Sequence, residues 1–304
     1  MASDQRAEWG AGSLKMAIAM IISGTVGWFV LATDLPALTV VFWRCAFGAL
    51  AMALVCAAQG LLRRGMLTRR QLYWVMLGGV TLTLNWVCLF IAYAKTSIAV
   101  ATITYHVQPF ILVALGAVLF NETLTRYKLG WMVMAFSGVA LIMLGGQQQN
   151  QDSGQYVYGV GFALAAAFFY AITAAITKGL RDVSPCLMVF IQLTVGCVIL
   201  LPVVSLPTTS SVSYVWELLM VIGFVHTGLM SALLYSAVQK IPTILVAGLA
   251  FIYPVVAILV DAWVLHRPLN GGQLTGALIV LAAVAGINVR WRFSPKGNRA
   301  NPPH

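Results

Sequence analysis

Long apolar runs separated by short polar turns occupy the chain from residue 14 to residue 289. Inside the runs polarity does not alternate. Phe162 to Ala175, for example, has no period of two, whereas a membrane-spanning strand would be ~10 residues long with alternating faces. Runs of this length suit helices, since ~20 residues of helix cross a hydrocarbon layer of ~30 Å. The pattern predicts ten, over residues 14–32, 37–58, 72–92, 97–119, 129–145, 157–177, 184–205, 215–236, 243–265 and 272–289.

Composition narrows the class. Of 304 residues, 61% are hydrophobic and 9% charged, against roughly 25% charged in soluble domains. A water-soluble enzyme is excluded and an all-α polytopic membrane protein with ten transmembrane helices is expected. With the N-terminus inside, fifteen of the eighteen Lys and Arg fall in cytoplasmic loops or tails, two (Lys95 and Arg267) fall outside, and Arg44 lies within a helix. This bias places both termini in the cytoplasm. The net charge of +10 could suggest nucleic acid, but Arg63, Arg64, Arg69 and Arg70 join two helices without the interleaved aromatics of single-strand binders. They read as topology determinants beside anionic lipid, with the bilayer as partner. Cys45, Cys56, Cys88, Cys186 and Cys197 lie in apolar spans without metal-site spacing, so neither a disulfide framework nor a metal centre is expected. The first apolar stretch is too long for a signal peptide and should remain as helix 1. The sequon Asn121-Glu122-Thr123 falls on the cytoplasmic side, where it would not be glycosylated.

Sliding the chain on itself by 145 residues superposes Pro109 on Pro254, Lys95 on Lys240 and Leu124 on Leu269. Upstream the offset drifts to about 148, bringing the stripe Ala19, Ser23, Gly27 onto Ala167, Ala171, Ala175 and Arg44 onto Gln192. A repeat of five spans is odd in number, so its copies must cross in opposite senses as two inverted five-helix repeats. That architecture is the one alternating access uses. The expected layout is a cytoplasmic tail 1–13, repeats 14–145 and 157–289 joined by an external polar linker 146–156, and a basic cytoplasmic tail 290–304.

Three places carry a family likeness: Trp28 near the end of helix 1, Phe42-Trp43-Arg44 in helix 2, and Phe120-Asn121-Glu122-Thr123-Leu124-Thr125 followed by Gly130. The second half repeats them more weakly, with Gln192 and His266-Arg267-Pro268-Leu269. Across residues 14–289 the chain resembles the drug/metabolite transporter superfamily, in particular its ten-helix exporters with two EamA-type repeats. The resemblance implies a bacterial-type inner-membrane exporter of amino acids or related metabolites.

Polar and aromatic groups deep in spans are the candidates for a solute path. Thr102, Tyr105, His106 and Pro109 share one helix face. Pro109 and Pro254 each lack an amide hydrogen and crowd the carbonyl four residues back, so each should kink its helix and serve as a gate or a site. Asn85, His226, Trp86, Tyr170, Phe251 and Tyr253 complete the cavity candidates. A hydrogen-bonded core role competes for the histidines and for Asn85, and lipid or core packing for the aromatics. The small-residue stripes suit helix packing, as does Gly272-xxx-Gly276, either within the chain or between copies. Arg44, the deepest fixed charge, can pair with Asp34 or Asp261, snorkel outward, or meet a solute carboxylate. No carboxylate lies near the midplane, so proton coupling would fall to the histidines, and facilitated diffusion needs none.

A carrier of small amphipathic solutes, with aromatic amino acids the specific expectation, follows best. Drugs, sugar phosphates and nucleosides are alternative solutes. A polytopic enzyme lacks HExxH, GxSxG or a phosphate-cradling loop, and a channel lacks a ring of repeated charges. No cofactor is expected, and a monomer is favoured.

Overall fold

A computed structural model describes residues 2–63, 65–95, 98–122, 124–144, 153–204, 213–264 and 271–293. Helices account for nearly all of them, and among the described residues there is no strand. In chain order they are α1 (Ala2–Thr33), α2 (Ala37–Ala58), α3 (Arg69–Lys95), α4 (Ile98–Tyr105), α5 (Gln108–Phe120), α6 (Arg126–Leu144), α7 (Ser153–Gly179), α8 (Pro185–Leu200) and α9 (Ser213–Gly223). A π-helical turn, Phe224–Leu229, leads into α10 (Met230–Lys240), followed by α11 (Thr243–Ala250), α12 (Ile252–Val264) and α13 (Gly271–Phe293). Among the described residues seven helical stretches are long and apolar enough to cross a membrane, and Pro185–Leu200 and Gly271–Ile287 are shorter apolar helices.

The end helices run further than the apolar pattern predicts. Helix α1 begins at Ala2, so the segment before residue 14 is helical and continuous with the first apolar run. Helix α13 continues to Phe293. Most of the linker, and the side chain of Asp261, lie outside the described residues, as do Thr123 and His266-Arg267-Pro268-Leu269.

The two halves interlock. Helix α1 packs on α10, while its repeat counterpart α7 packs on α3. Helix α2 lies against α8 and α6 against α13, each beside its own counterpart, and α5 packs on α11, the counterpart of α4. Exchanging the halves turns the α1–α10 contact into α7–α3 and returns the α2–α8 and α6–α13 pairs to themselves, the pattern that a two-fold relation between repeats would give. Core side chains such as Met16, Leu112, Met188, Leu193 and Leu245 fill the space between the halves.

Small residues set the close crossings. A Cβ on Gly138 of α6 would stand 2.8 Å from the carbonyl oxygen of Gly276 in α13, and one on Gly79 of α3 would stand 3.0 Å from the Cα of Gln192 in α8. Gly276, part of the Gly272-xxx-Gly276 signal, is thus spent on internal packing. Ala19, Ala167 and Ala171 are fully buried and Ala175 nearly so, whereas Ser23 is half-buried and Gly27 exposed. Gly24 makes the close approach instead, against Val256. The buried face of α1 runs Gly12, Met16, Met20, Gly24, a strict spacing of four that leaves Gly27 off its edge.

Leucine at Gly138 or Gly276 would force backbones apart, a cost of about 1–3 kcal/mol. Each variant should lower the melting temperature of the detergent-solubilised protein by several degrees. Gly27→Leu, whose Cβ meets open space, should leave it unchanged.

Candidate functional site at the seam between the repeats

Three helix irregularities converge on the seam. The α4–α5 rod breaks at His106 and Val107, three residues ahead of Pro109, and the α11–α12 rod breaks at Phe251, three ahead of Pro254. Each proline thereby falls in the first turn of the following segment, where a missing amide hydrogen costs least. The third is the π turn, a feature often found at functional sites.

The π turn fixes which side chains face inward. Thr227 Oγ1 donates to the carbonyl of Ile222 at 2.9 Å, five residues back, and accepts from Nε of Arg44 at 3.1 Å. The Arg44 guanidinium also covers the Trp86 ring, 4.6 Å from its centroid. Among the described residues no carboxylate pairs with it. His226, placed with the cavity by its depth, instead turns toward α1: its Nε2 is 2.9 Å from Thr25 Oγ1 and its ring 4.6 Å from that of Phe29. The extra residue of the π turn rotates the face that ordinary helical spacing assigns, so Thr227 rather than His226 meets Arg44.

Beside Arg44, Asn85 donates from Nδ2 to Tyr105 Oη at 3.2 Å and to the carbonyl of Ala166 at 2.8 Å. Its Oδ1 is buried without a partner. Tyr105 meets Tyr170 edge-on at 6.3 Å. His106 donates from Nδ1 to the carbonyl of Thr102 at 2.7 Å, which fixes the ring with its proton there, and stacks on Tyr253 at 5.9 Å. Phe251, 6.3 Å from His106, is fully buried and supports the stack from behind. Arg44, Trp86, Tyr105, Tyr170 and Tyr253 remain half-buried, while Asn85, Thr102 and His106 are buried. Arg44 to Thr227, Asn85 to Ala166, Tyr105 to Tyr170 and His106 to Tyr253 all cross from one repeat to the other.

Deeper toward the basic-loop end the seam is closed. Thr81 and Thr173 hydroxyls lie 2.7 Å apart, and Tyr235 donates to Oε1 of Gln192, the counterpart of Arg44. Below them Lys178, 1% exposed, forms an ion pair with Glu122 at 2.9 Å and donates to the carbonyl of Ile241 at 2.8 Å. Glu122 also accepts from the backbone amide of Thr243 at 2.9 Å and from its hydroxyl. The carboxylate therefore caps the amino end of α11, where the helix dipole adds to the attraction of Lys178. This latch ties the α5–α6 turn of the first repeat to α7 and the α10–α11 turn of the second. Sequence reading missed it: Lys178 counted only toward topology and Glu122 only as part of a turn motif. The available signal was a lysine in the last turn of a long apolar helix, deeper than a topology determinant needs to be. Among the described residues no group of three His, Cys, Asp or Glu converges as a metal site would require.

Comparison with known proteins adds the family. The EamA-like transporter family matches twice, over residues 10–144 and 157–289. The chain belongs to that family. It is a membrane transporter built from two EamA repeats. It is 30% identical over 281 residues to an uncharacterized transporter, YxxF, of Bacillus subtilis (strain 168), covering 91% of this chain and 89% of the relative. A probable amino-acid metabolite efflux pump of Salmonella typhimurium is 27% identical, with 62% and 68% covered. The pseudopaline exporter CntI of Pseudomonas aeruginosa is 28% identical, with 64% and 66% covered. A solved crystal structure matches the fold with a TM-score of 0.81 at 17% identity, covering 93% of this chain and 98% of that one.

Removing one partner of a buried ion pair costs about 3–5 kcal/mol when both are fully enclosed; Glu122 is 20% exposed, so the loss here should be smaller. Lys178→Met should loosen the closed end. In a background freed of native cysteines, a cysteine at the buried Thr177 should react several-fold faster with an impermeant maleimide applied from the basic-loop side. An unchanged rate would assign the pair to static packing.

Proposed function

We propose that the chain is an inner-membrane exporter of small amphipathic metabolites, including amino acids, that works by alternating access. The observation that carries this reading is the latched seam: two interlocked repeats enclose a polar and aromatic site and are shut at one end by contacts between the repeats. A carrier must make and break such contacts at each end in turn. Counting α6, α8 and α13 with the seven longer stretches gives ten crossings, with the basic-loop end, both termini and the latch in the cytoplasm. This arrangement corresponds to an outward-facing state. The half-buried tyrosines and Trp86 suit flat, partly apolar solutes, which is why aromatic amino acids are the specific proposal. The relatives named for amino-acid metabolites and for pseudopaline support export of small metabolites.

Liposomes holding the purified protein and preloaded with unlabelled amino acid should take up labelled phenylalanine or tryptophan saturably, and faster than liposomes preloaded with buffer. Uptake that ignores the preload would speak for a channel. No uptake by well-assembled protein would move the solute class to drugs, nucleosides or sugar phosphates. His106→Ala and Tyr105→Ala should lower this flux severalfold without loss of assembled protein in size-exclusion chromatography.

A further inference from the structure

Resting on that reading of the solute, we infer that Arg44 and Asn85 form a zwitterion site, Arg44 for a carboxylate and Asn85 Oδ1 for an ammonium group.

Arg44 carries five N–H donors, and among the described residues its one hydrogen bond runs from Nε to Thr227. Among the described residues the rest of the fork meets no carboxylate. The face of the guanidinium is held by Trp86, which leaves its edge for in-plane donors and fixes the direction from which a bidentate carboxylate must approach. Asp34, an alternative partner expected from sequence, sits after α1 in a left-handed turn with φ of 50° and makes no ion pair with Arg44. A fixed cation in a membrane core is costly to maintain without a counter-charge, so an anionic group on the solute completes the site.

The orientation of Asn85 is settled by chemistry. The carbonyl of Ala166 can only accept, so the atom 2.8 Å from it is Nδ2, and Oδ1 points elsewhere. That acceptor is fully buried and has no donor, a state costly enough that native proteins rarely leave it. Asn85 precedes Trp86 in α3, which sets the orphan acceptor at the depth of the ring that the guanidinium covers. The guanidinium also lies within electrostatic reach of the hydroxyls of Tyr105 and Tyr253, and Tyr105 is the second partner of Asn85. An α-amino acid presents its two charges from a single carbon. Its carboxylate on Arg44 and its ammonium on Oδ1 would direct the side chain toward Tyr170 and Tyr253.

The test is competition in the counterflow assay with labelled phenylalanine. Unlabelled phenylalanine is compared with its amide, which lacks the carboxylate, and with N-acetylphenylalanine, which lacks the ammonium. Each analogue should compete about tenfold less well, the worth of one hydrogen bond to a charged group. Arg44→Gln should erase the preference over the amide and keep that over the N-acetyl compound. Asn85→Leu should do the reverse. Because either variant can lose assembly, the wild-type comparison decides alone if it must: competition by both analogues as strong as that of phenylalanine itself overturns the zwitterion site while leaving amino acid transport standing. An Asn85→Leu protein that still rejects N-acetylphenylalanine overturns the role of Oδ1. Absence of flux with every amino acid overturns the solute reading and this site together.

Discussion

In hydrocarbon a backbone amide or carbonyl has no water to turn to, so a helix can be interrupted only where other protein groups or a polar path receive its freed groups. That constraint organises this molecule. The breaks at His106–Val107 and Phe251 and the π turn at Phe224–Leu229 all lie at the seam between the repeats, and the residues they bring there are Tyr105, His106, Tyr253 and Thr227. Elsewhere the helices run unbroken and pack through small residues, Gly138 on Gly276 and Gly79 on the backbone of Gln192.

The interruptions also explain how the site stays polar while the protein stays stable. Inward-facing polar groups are held by contacts from the opposite repeat: Ala166 for Asn85, Thr227 for Arg44, Tyr253 for His106. Parting the halves would expose these groups to solute or water rather than to lipid. At the basic-loop end the same principle appears with full charges, since Lys178 is buried only because Glu122 and the carbonyl of Ile241 meet it. The two ends of the seam differ in chemistry. Gln192 replaces Arg44 by repeat equivalence, and its Oε1 is engaged by Tyr235, so one repeat sets a guanidinium into the seam where the other sets a neutral amide.

The helical class, the two repeats and the transporter family were legible because they depend on long-range composition and on a 145-residue offset that single substitutions do not blur. The site was legible in part. Asn85, Trp86, Tyr105, His106 and Tyr253 could be named from depth and helix face, and the structure brings them together. His226 was placed with the cavity by its depth, and depth carries no record of a π turn, at which its ring turns to Thr25 and Phe29 of α1. Gly27 was misassigned for a related reason: an offset drifting between 145 and 148 leaves the register of α1 uncertain, whereas the spacing of Gly12, Met16, Met20 and Gly24 is visible only once its neighbours are known. The latch escaped because its three parts, Glu122, Lys178 and Thr243, are far apart in sequence and none is unusual alone.

Alternating access is tested most directly by measuring both ends of the seam in one sample. Spin-label pairs at Leu124 and Arg181, flanking the latch, and at Asp34 and Tyr214, at the opposite end, would be followed by pulsed electron resonance in liposomes with and without a transported solute. The account predicts opposite changes, a longer distance in the first pair accompanying a shorter one in the second. Distances that stay fixed at both ends while solute is moving, or that lengthen together, would contradict it.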